Sequence, residues 1–537
     1  MQHITSYNRR QFLQILSGAS IFAASPVKAL PLSDDHLTIS VIHTTDLHGN
    51  ILPTAAYGGR TNLGGLARCA TQITLWKKEN PYHILLDAGD LYQGTQVGLQ
   101  TRGRIMIESL NHLGYDAWVL GNHEFDWGIQ PVQDAIEMSE PRVLAANCLI
   151  GGKRAGWQED REHPLGRIAP FVLKRVGGFR IGIIGVITPG MPYWFHESLY
   201  RGLAFEDPVT PVRRSIALLQ SRNADAILLA THMGLRAGGD DFANRTQTLL
   251  ETYPDIVACI GGHTHRHEVN TPVNGIPFTQ ASYFGIHLGR LDITFDRNTR
   301  RIVSAKPNTM FMNEHIALDP AILSLAQPEI DRADAIQETP VGTLTQTLST
   351  SRSRQQHSRV EDLIGAAMME ALETRGMQPD AAVHGLIFPD GDFEAGPKTI
   401  RDMWSIMPYE NRIVTAQLTR DDLFVILAEM RGSRGIMGLH VQSEGLRGPI
   451  TIHEIFDRNG RPLQRNRRYQ VAFNSYDAAS GGQSLMQLRE ILHRPASRMR
   501  LHPILTRHAL IDYFTRRGEV SPVTRFAPPP ELATAIW

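Results

Sequence analysis

Seven residues of this chain have the types and spacing to hold metal ions: Asp46, His48, Asp90, Asn122, His232, His263 and His265. Each follows a short apolar run. Residues 39–45 lead into Asp46 and His48, 84–89 into Asp90, and 118–121 into Asn122 and His123. Residues 226–231 lead into His232, and 256–262 into His263 and His265. Carboxylate, amide and imidazole together suit Mn, Zn, Fe or Co better than Ca, with Mg a less natural choice. Seven such groups converging on one spot read as a dinuclear metal site.

Taken singly, the pieces are ambiguous. Asp46-Leu47-His48 puts a carboxylate and an imidazole two apart, so in an extended loop both point the same way. Asp90 alone could be a turn residue or a helix cap, and His232 alone a core histidine. Gly121-Asn122-His123-Glu124 is rarer, and the glycines of Gly261-Gly262-His263-Thr264-His265 allow close approach to an ion. The joint order within one region carries the reading.

Something must bring these residues together. The apolar runs are too short for helices and have the composition of buried strands. Open α/β sheets place their chemistry at the carboxyl ends of strands. Between the runs lie helical patterns, at 66–76, at 104–113 closed by Gly114, and from Pro208 to about 221. A further strand is read at 180–186, and 284–295 is read as an outer strand leaving the catalytic domain. Residues 313–340, punctuated by Pro320, Pro328 and Pro340, read as a linking helix. From 341 to 537 a second α/β domain follows, opening with a strand and a helix at 360–374, then alternating strand- and helix-like runs through 418–431 and 469–473 to a last helix near 508–516. The Arg465–Arg468 cluster reads as a solvated turn.

The 537 residues are too many for one core. A formal charge of zero gives no reason to expect a nucleic acid polymer or an anionic membrane as partner. Cys69, Cys148 and Cys259 are neither a metal knuckle nor an even set for disulfides. At the amino terminus, Arg9-Arg10-Gln11-Phe12-Leu13 precedes an uncharged stretch and Val27-Lys28-Ala29. Residues 1–29 therefore resemble a twin-arginine signal, implying export by the Tat machinery to the periplasm or outside the cell. No later run is apolar for ~18 residues, so no stable membrane anchor is expected.

Asp46-Leu47-His48-Gly49-Asn50, Gly89-Asp90, Gly121-Asn122-His123-Glu124-Phe125-Asp126, His232 and Gly262-His263-Thr264-His265 resemble the calcineurin-like metallophosphoesterases of the 5′-nucleotidase branch. The resemblance implies a four-layer α-β-β-α domain over 36–312, then a smaller α/β 5′-nucleotidase C-terminal-like domain. It implies that Asp46, His48 and His265 hold one divalent ion and Asn122, His232 and His263 another, with Asp90 bridging. Two ions ~3.5–4 Å apart need such an anionic bridge and can clamp both oxygens of an in-line displacement. His123 would stabilise the transition state, oriented by Asp126. Hydroxide formed at the metals would attack a small phosphoester. His43, His267 and Glu124 are read as structural.

The second domain departs from the family. Where relatives have Gly-Gly-Ile-Arg, this chain has Phe388-Pro389-Asp390-Gly391-Asp392. Four residues before Gly481-Gly482 stands Asp477 rather than Phe, with Tyr476 beside it. No aromatic residue occurs between Arg431 and Ile455. Asp390, Asp392, Tyr476 and Asp477 are the pocket candidates, and an aspartate there would repel a diphosphate tail. The leading function is thus metal-dependent hydrolysis of phosphate esters. One alternative is thiosulfohydrolase-like hydrolysis of a sulfur ester, disfavoured because Leu47 stands where that branch has Cys. Another is a non-catalytic metal-binding surface protein, disfavoured because no ligand is missing.

Overall fold

The computed structural model describes residues 35–54, 60–154, 164–350, 359–386, 392–444 and 451–523. Residues 1–29, read as a twin-arginine signal, and the pocket candidate Asp390 lie outside the described residues.

In the first strand, His36–Thr44, side chains alternate as a pleat demands. Leu37, Ile39 and Val41 face a core shared with Ile181, Ile183, Leu228 and Ile260. Ile42 faces the other way, into a core with Leu66, Ile73 and Ile105. That strand belongs to a six-stranded sheet in the order Ile302–Phe311, His287–Asp296, His36–Thr44, His83–Asp87, Ala117–Val119, Arg142–Leu144. A second six-stranded sheet runs His267–Glu268, Phe278–Ala281, Ile256–Ile260, Ala226–His232, Phe179–Ile187, Phe171–Val176. The strands that carry the candidate ligands pair in parallel within each sheet. Helices Leu66–Glu79 and Arg104–Leu113 cover the first sheet, Val209–Ser221 and Thr246–Thr252 the second. The layers are α-β-β-α.

The stretch read as an outer strand is not at the edge. His287–Asp296 lies between His36–Thr44 and a further antiparallel strand, Ile302–Phe311. That edge strand carries Ser304, Lys306, Pro307 and Asn308 and is mostly half-buried, so it has no apolar run to announce it. Pro328, read as punctuation, sits inside helix Pro320–Gln337, whose start is capped by Asp319. Ile322, Ala326 and Ile330 of this helix pack into the catalytic domain's own core.

The C-terminal domain is built on a five-stranded sheet, Gly435–Met437, Ala381–His384, Arg468–Asn474, Arg412–Thr419, Arg500–Leu505. Helices Arg359–Glu373 and Thr506–Arg517 pack on one face, Arg420–Met430 and Met486–His493 on the other. Among the described residues, no helix is long and apolar enough to cross a membrane.

Candidate metal centre

The strand ends do converge. Asp46, His48 and His265 offer ligand atoms all within 4.8 Å of one another, and so do Asp90, His232 and His263. Asp90 joins the groups, its Oδ2 lying 3.0 Å from His232 Nε2 and 3.7 Å from His48 Nε2. His48 Nε2 and His265 Nε2 are 3.0 Å apart, and His265 Nε2 is 3.5 Å from Asp46 Oδ1.

The backbone is strained to achieve this. Asp46, His48, Asp90, His263 and His265 have φ of 50, 48, 54, 70 and 55°, in the left-handed region that non-glycine residues avoid. Each such residue costs on the order of 1–3 kcal/mol and persists only where its surroundings enforce it. Gly121 shows how close the loops approach: a Cβ there would fall 2.3 Å from Asp90 Oδ1.

The donor atoms fit divalent ions. His48 Nδ1 donates to Gln93 O at 2.9 Å, and His232 Nδ1 to Ala88 O at 2.8 Å. With Nδ1 bonded outward, Nε2 of each ring faces inward. Burial lowers His232, but Asp90 prevails and raises it to about 9, so its Nε2 carries a proton in the place a cation would take. Two Nε2 atoms at 3.0 Å, and another at 3.0 Å from a carboxylate, repel unless a cation or proton lies between. Asn122 Oδ1 is buried with no donor among the described residues. Burial holds His48 down to about 4 and His263 to about 3, so both are neutral, as ligation requires. Burial opposes charge on Asp46 and Asp90, yet His265 beside the one and His232 beside the other hold both below the usual carboxylate range.

His123 stands apart, on a 3-10 turn, His123–Phe125. Its Nδ1 is 2.5 Å from Asp126 Oδ2, and its backbone N–H donates to Asp90 Oδ1 at 2.8 Å. Burial opposes its charge, but Asp126 and Asp90 prevail and hold it protonated at neutral pH. Glu124 is fully buried and accepts the backbone N–H groups of Asp90, Leu91 and Gly121 at 3.2, 2.6 and 2.6 Å. It clamps together the loops that carry Asp90 and Asn122. His43 is buried against Gly289, and His267 is exposed and stacked on His287.

Residues 39–267 match the family model for calcineurin-like phosphoesterases, and 340–490 that for the 5′-nucleotidase C-terminal domain. The chain thus carries a calcineurin-like phosphoesterase domain followed by a 5′-nucleotidase C-terminal domain. The snake venom 5′-nucleotidase of Gloydius brevicauda is 29% identical over 331 residues, 57% of this chain and 53% of that protein. The chain thus spans about half the length of the curated relatives it matches. A 5′-nucleotidase precursor from Thermus thermophilus superposes with a TM-score of 0.67 at 22% identity, covering 91% of this chain and 98% of that one. The sulfate thiohydrolase SoxB of Thermus thermophilus superposes at 0.63 and 16% identity, covering 92% and 96%. At such identities the likeness shows the fold alone.

The second domain meets the candidate centre through Tyr409, and the first domain itself adds Trp194, neither of them singled out above. Tyr409 stacks on His123, centroids 5.7 Å apart, and Trp194 tilts over His263 at 5.0 Å. Tyr476 approaches Trp194: a Cβ on Gly482 would lie 3.2 Å from both Tyr476 OH and Trp194 Nε1. Asp477 is no free anion. It is 1% exposed and accepts from Arg434 Nε and Nη2 at 2.9 and 2.8 Å, so the repulsion of a diphosphate inferred from its type is neutralised by Arg434. Asp392 is exposed and accepts from Thr350 N at 3.2 Å. The family motifs lie around the candidate ligands, so Trp194 and Arg434, distant in sequence, gave no signal.

Proposed function

We propose that this protein is a dinuclear-metal hydrolase of small phosphate esters, a 5′-nucleotidase-like phosphomonoesterase or phosphodiesterase. The observation that carries the reading is the pair of facing triads joined by Asp90, with the His123–Asp126 dyad at their rim. Asp46, His48 and His265 would hold one ion and Asn122, His232 and His263 the other, with Asp90 between. The ions would supply Lewis acidity, activating water and accepting charge from phosphate oxygens.

The chain supplies the rest. Asp126 takes up the Nδ1 side of His123, leaving Nε2–H for a phosphoryl or leaving-group oxygen whose charge grows in the transition state. Phe195 and Tyr409 flank that imidazole and limit the access of water. Glu124 keeps the loops of Asp90 and Asn122 in register, so the charge of Asp90 stays where two cations need it. Leu47 is fully buried in the helix-side core and presents no group to the centre, which favours phosphoesters over sulfur esters. Exposed nucleotide rings would find Trp194 and Tyr476 as flat partners.

The test is a screen of manganese- and cobalt-loaded protein on p-nitrophenyl phosphate, bis-p-nitrophenyl phosphate, nucleoside monophosphates, sugar nucleotides, cyclic nucleotides and thiosulfonates. Release of p-nitrophenol or phosphate is the expected outcome. Turnover of thiosulfonates alone would overturn the reading, and inertness toward every compound would leave a metal-binding surface protein.

A further inference from the structure

One dipeptide of the C-terminal domain reaches both halves of the centre. Gln93, on the loop after Asp90, donates from Nε2 to Glu410 Oε2 at 2.8 Å. Its backbone carbonyl is the acceptor that fixes His48 Nδ1 at 2.9 Å. Gly94 lets the loop lie this close, since a Cβ there would meet His48 O at 2.7 Å and His48 Cβ at 2.9 Å. Glu410 itself is immobilised from behind. Its Oε1 accepts from Arg507 Nη2 at 2.7 Å, and the two side chains are 2% and 1% exposed. Arg507 in turn donates to Met407 O at 2.8 Å, with its guanidinium 3.5 Å above the Trp404 ring. Next to Glu410, Tyr409 lies nearly parallel to His123, at 26°, and Phe195 closes the imidazole edge-on at 6.1 Å.

We propose that Tyr409 and Glu410 are positioning residues that make the centre depend on the seated C-terminal domain. Glu410, through Gln93, sets how His48 faces its metal, and Tyr409 sets the plane of His123. The inference rests on the dinuclear phosphoesterase reading. A ligand histidine is oriented by the partner of its other ring nitrogen, and disturbing such partners costs 10- to 100-fold in metal affinity or activity. Here that partner is a backbone carbonyl whose residue is moored by its own side-chain amide to the other domain.

The full chain would be compared as wild type, Gln93→Leu, Tyr409→Leu and Tyr409→Phe. Gln93→Leu removes the amide while leaving the Glu410–Arg507 pair intact. Cobalt(II) alone is titrated into metal-free protein by calorimetry and visible absorption, and kcat, KM and thermal melting are measured beside it. For Gln93→Leu the expected result is roughly tenfold weaker cobalt binding and an altered absorption band, with melting lowered only by the one Glu410 oxygen left unpaired. For Tyr409→Leu, cobalt binding holds while kcat drops about tenfold at unchanged KM, and Tyr409→Phe restores kcat. Wild-type cobalt binding in Gln93→Leu, or wild-type kcat in Tyr409→Leu, overturns the proposal. If the wild type hydrolyses no phosphoester, the functional reading falls, and the cobalt titration still decides whether Gln93 and Glu410 position His48.

Discussion

His123 Nδ1 and Asp126 Oδ2 lie 2.5 Å apart across a single turn, while the backbone N–H of His123 is bound by Asp90. The residue that would act on substrate is thus held from both ends without its ring contributing to either triad. His123→Ala should retain both metals and lose about 10²- to 10⁴-fold in kcat, the usual contribution of a positioned acid. Asp126→Asn should lose less, because the imidazole remains but its tautomer is no longer enforced. Metal analysis beside kcat checks this; metal loss in His123→Ala equal to that in Asp90→Ala would show the roles to be misassigned.

Asp90→Ala should abolish metal binding and activity together, since Asp90 Oδ2 stands beside a histidine of each group. Chelation of the wild type should lower its melting temperature, because buried ligand atoms then face one another uncompensated. Differential scanning calorimetry with and without chelator reads this directly, and an unchanged melting temperature would contradict it.

Glu124 accepts three buried backbone N–H groups. Each left unsatisfied costs about 1–3 kcal/mol. Glu124→Ala is therefore expected to be destabilised in urea by at least ~2 kcal/mol and to bind metal poorly, whereas Glu124→Gln keeps one acceptor and should fall between. A fully stable, metal-replete Glu124→Ala protein would rule out the clamp.

Burial pushes the Cys69 and Cys148 thiols up to about 12, and Cys259 higher still, because a thiolate in an apolar core is unsolvated. At pH 8 each thiol stays protonated in the folded state and unprotonated thiolate is gained only on unfolding. Ellman's reagent should label none of them natively and all three in guanidinium; rapid native labelling would place a thiol at the surface.

Export is tested by Arg9→Lys with Arg10→Lys. If the leader is twin-arginine dependent, the double variant should stay in the cytoplasm as precursor, with the shorter form absent from the periplasmic fraction. Undiminished export of the double variant would overturn the twin-arginine reading of residues 1–29.

The ligand-bearing strands were readable because their physics is local. Five apolar runs each ending on a ligand state both the buried strand and the site at its carboxyl end, and His123-Glu124-Phe125-Asp126 states the dyad by its spacing. The edge strand Ile302–Phe311 had no such signature, because none of its residues is fully buried and it forms only once His287–Asp296 offers hydrogen bonds to it. Asp477 was misjudged for a related reason. Residue type fixes its charge, but only the fold brings Arg434, 43 positions away, to cancel it.

By itself, then, the sequence determined the set of candidate metal-binding residues, their place on strand ends and the separation of His123 from them. Tertiary structure decided which histidine nitrogen faces inward and that Glu410 of the second domain moors Gln93 behind His48. Those relations depend on contacts between residues up to 317 positions apart, and on backbone strain at five ligands. Neither leaves a trace in composition or period, since both arise only when distant segments are packed against one another.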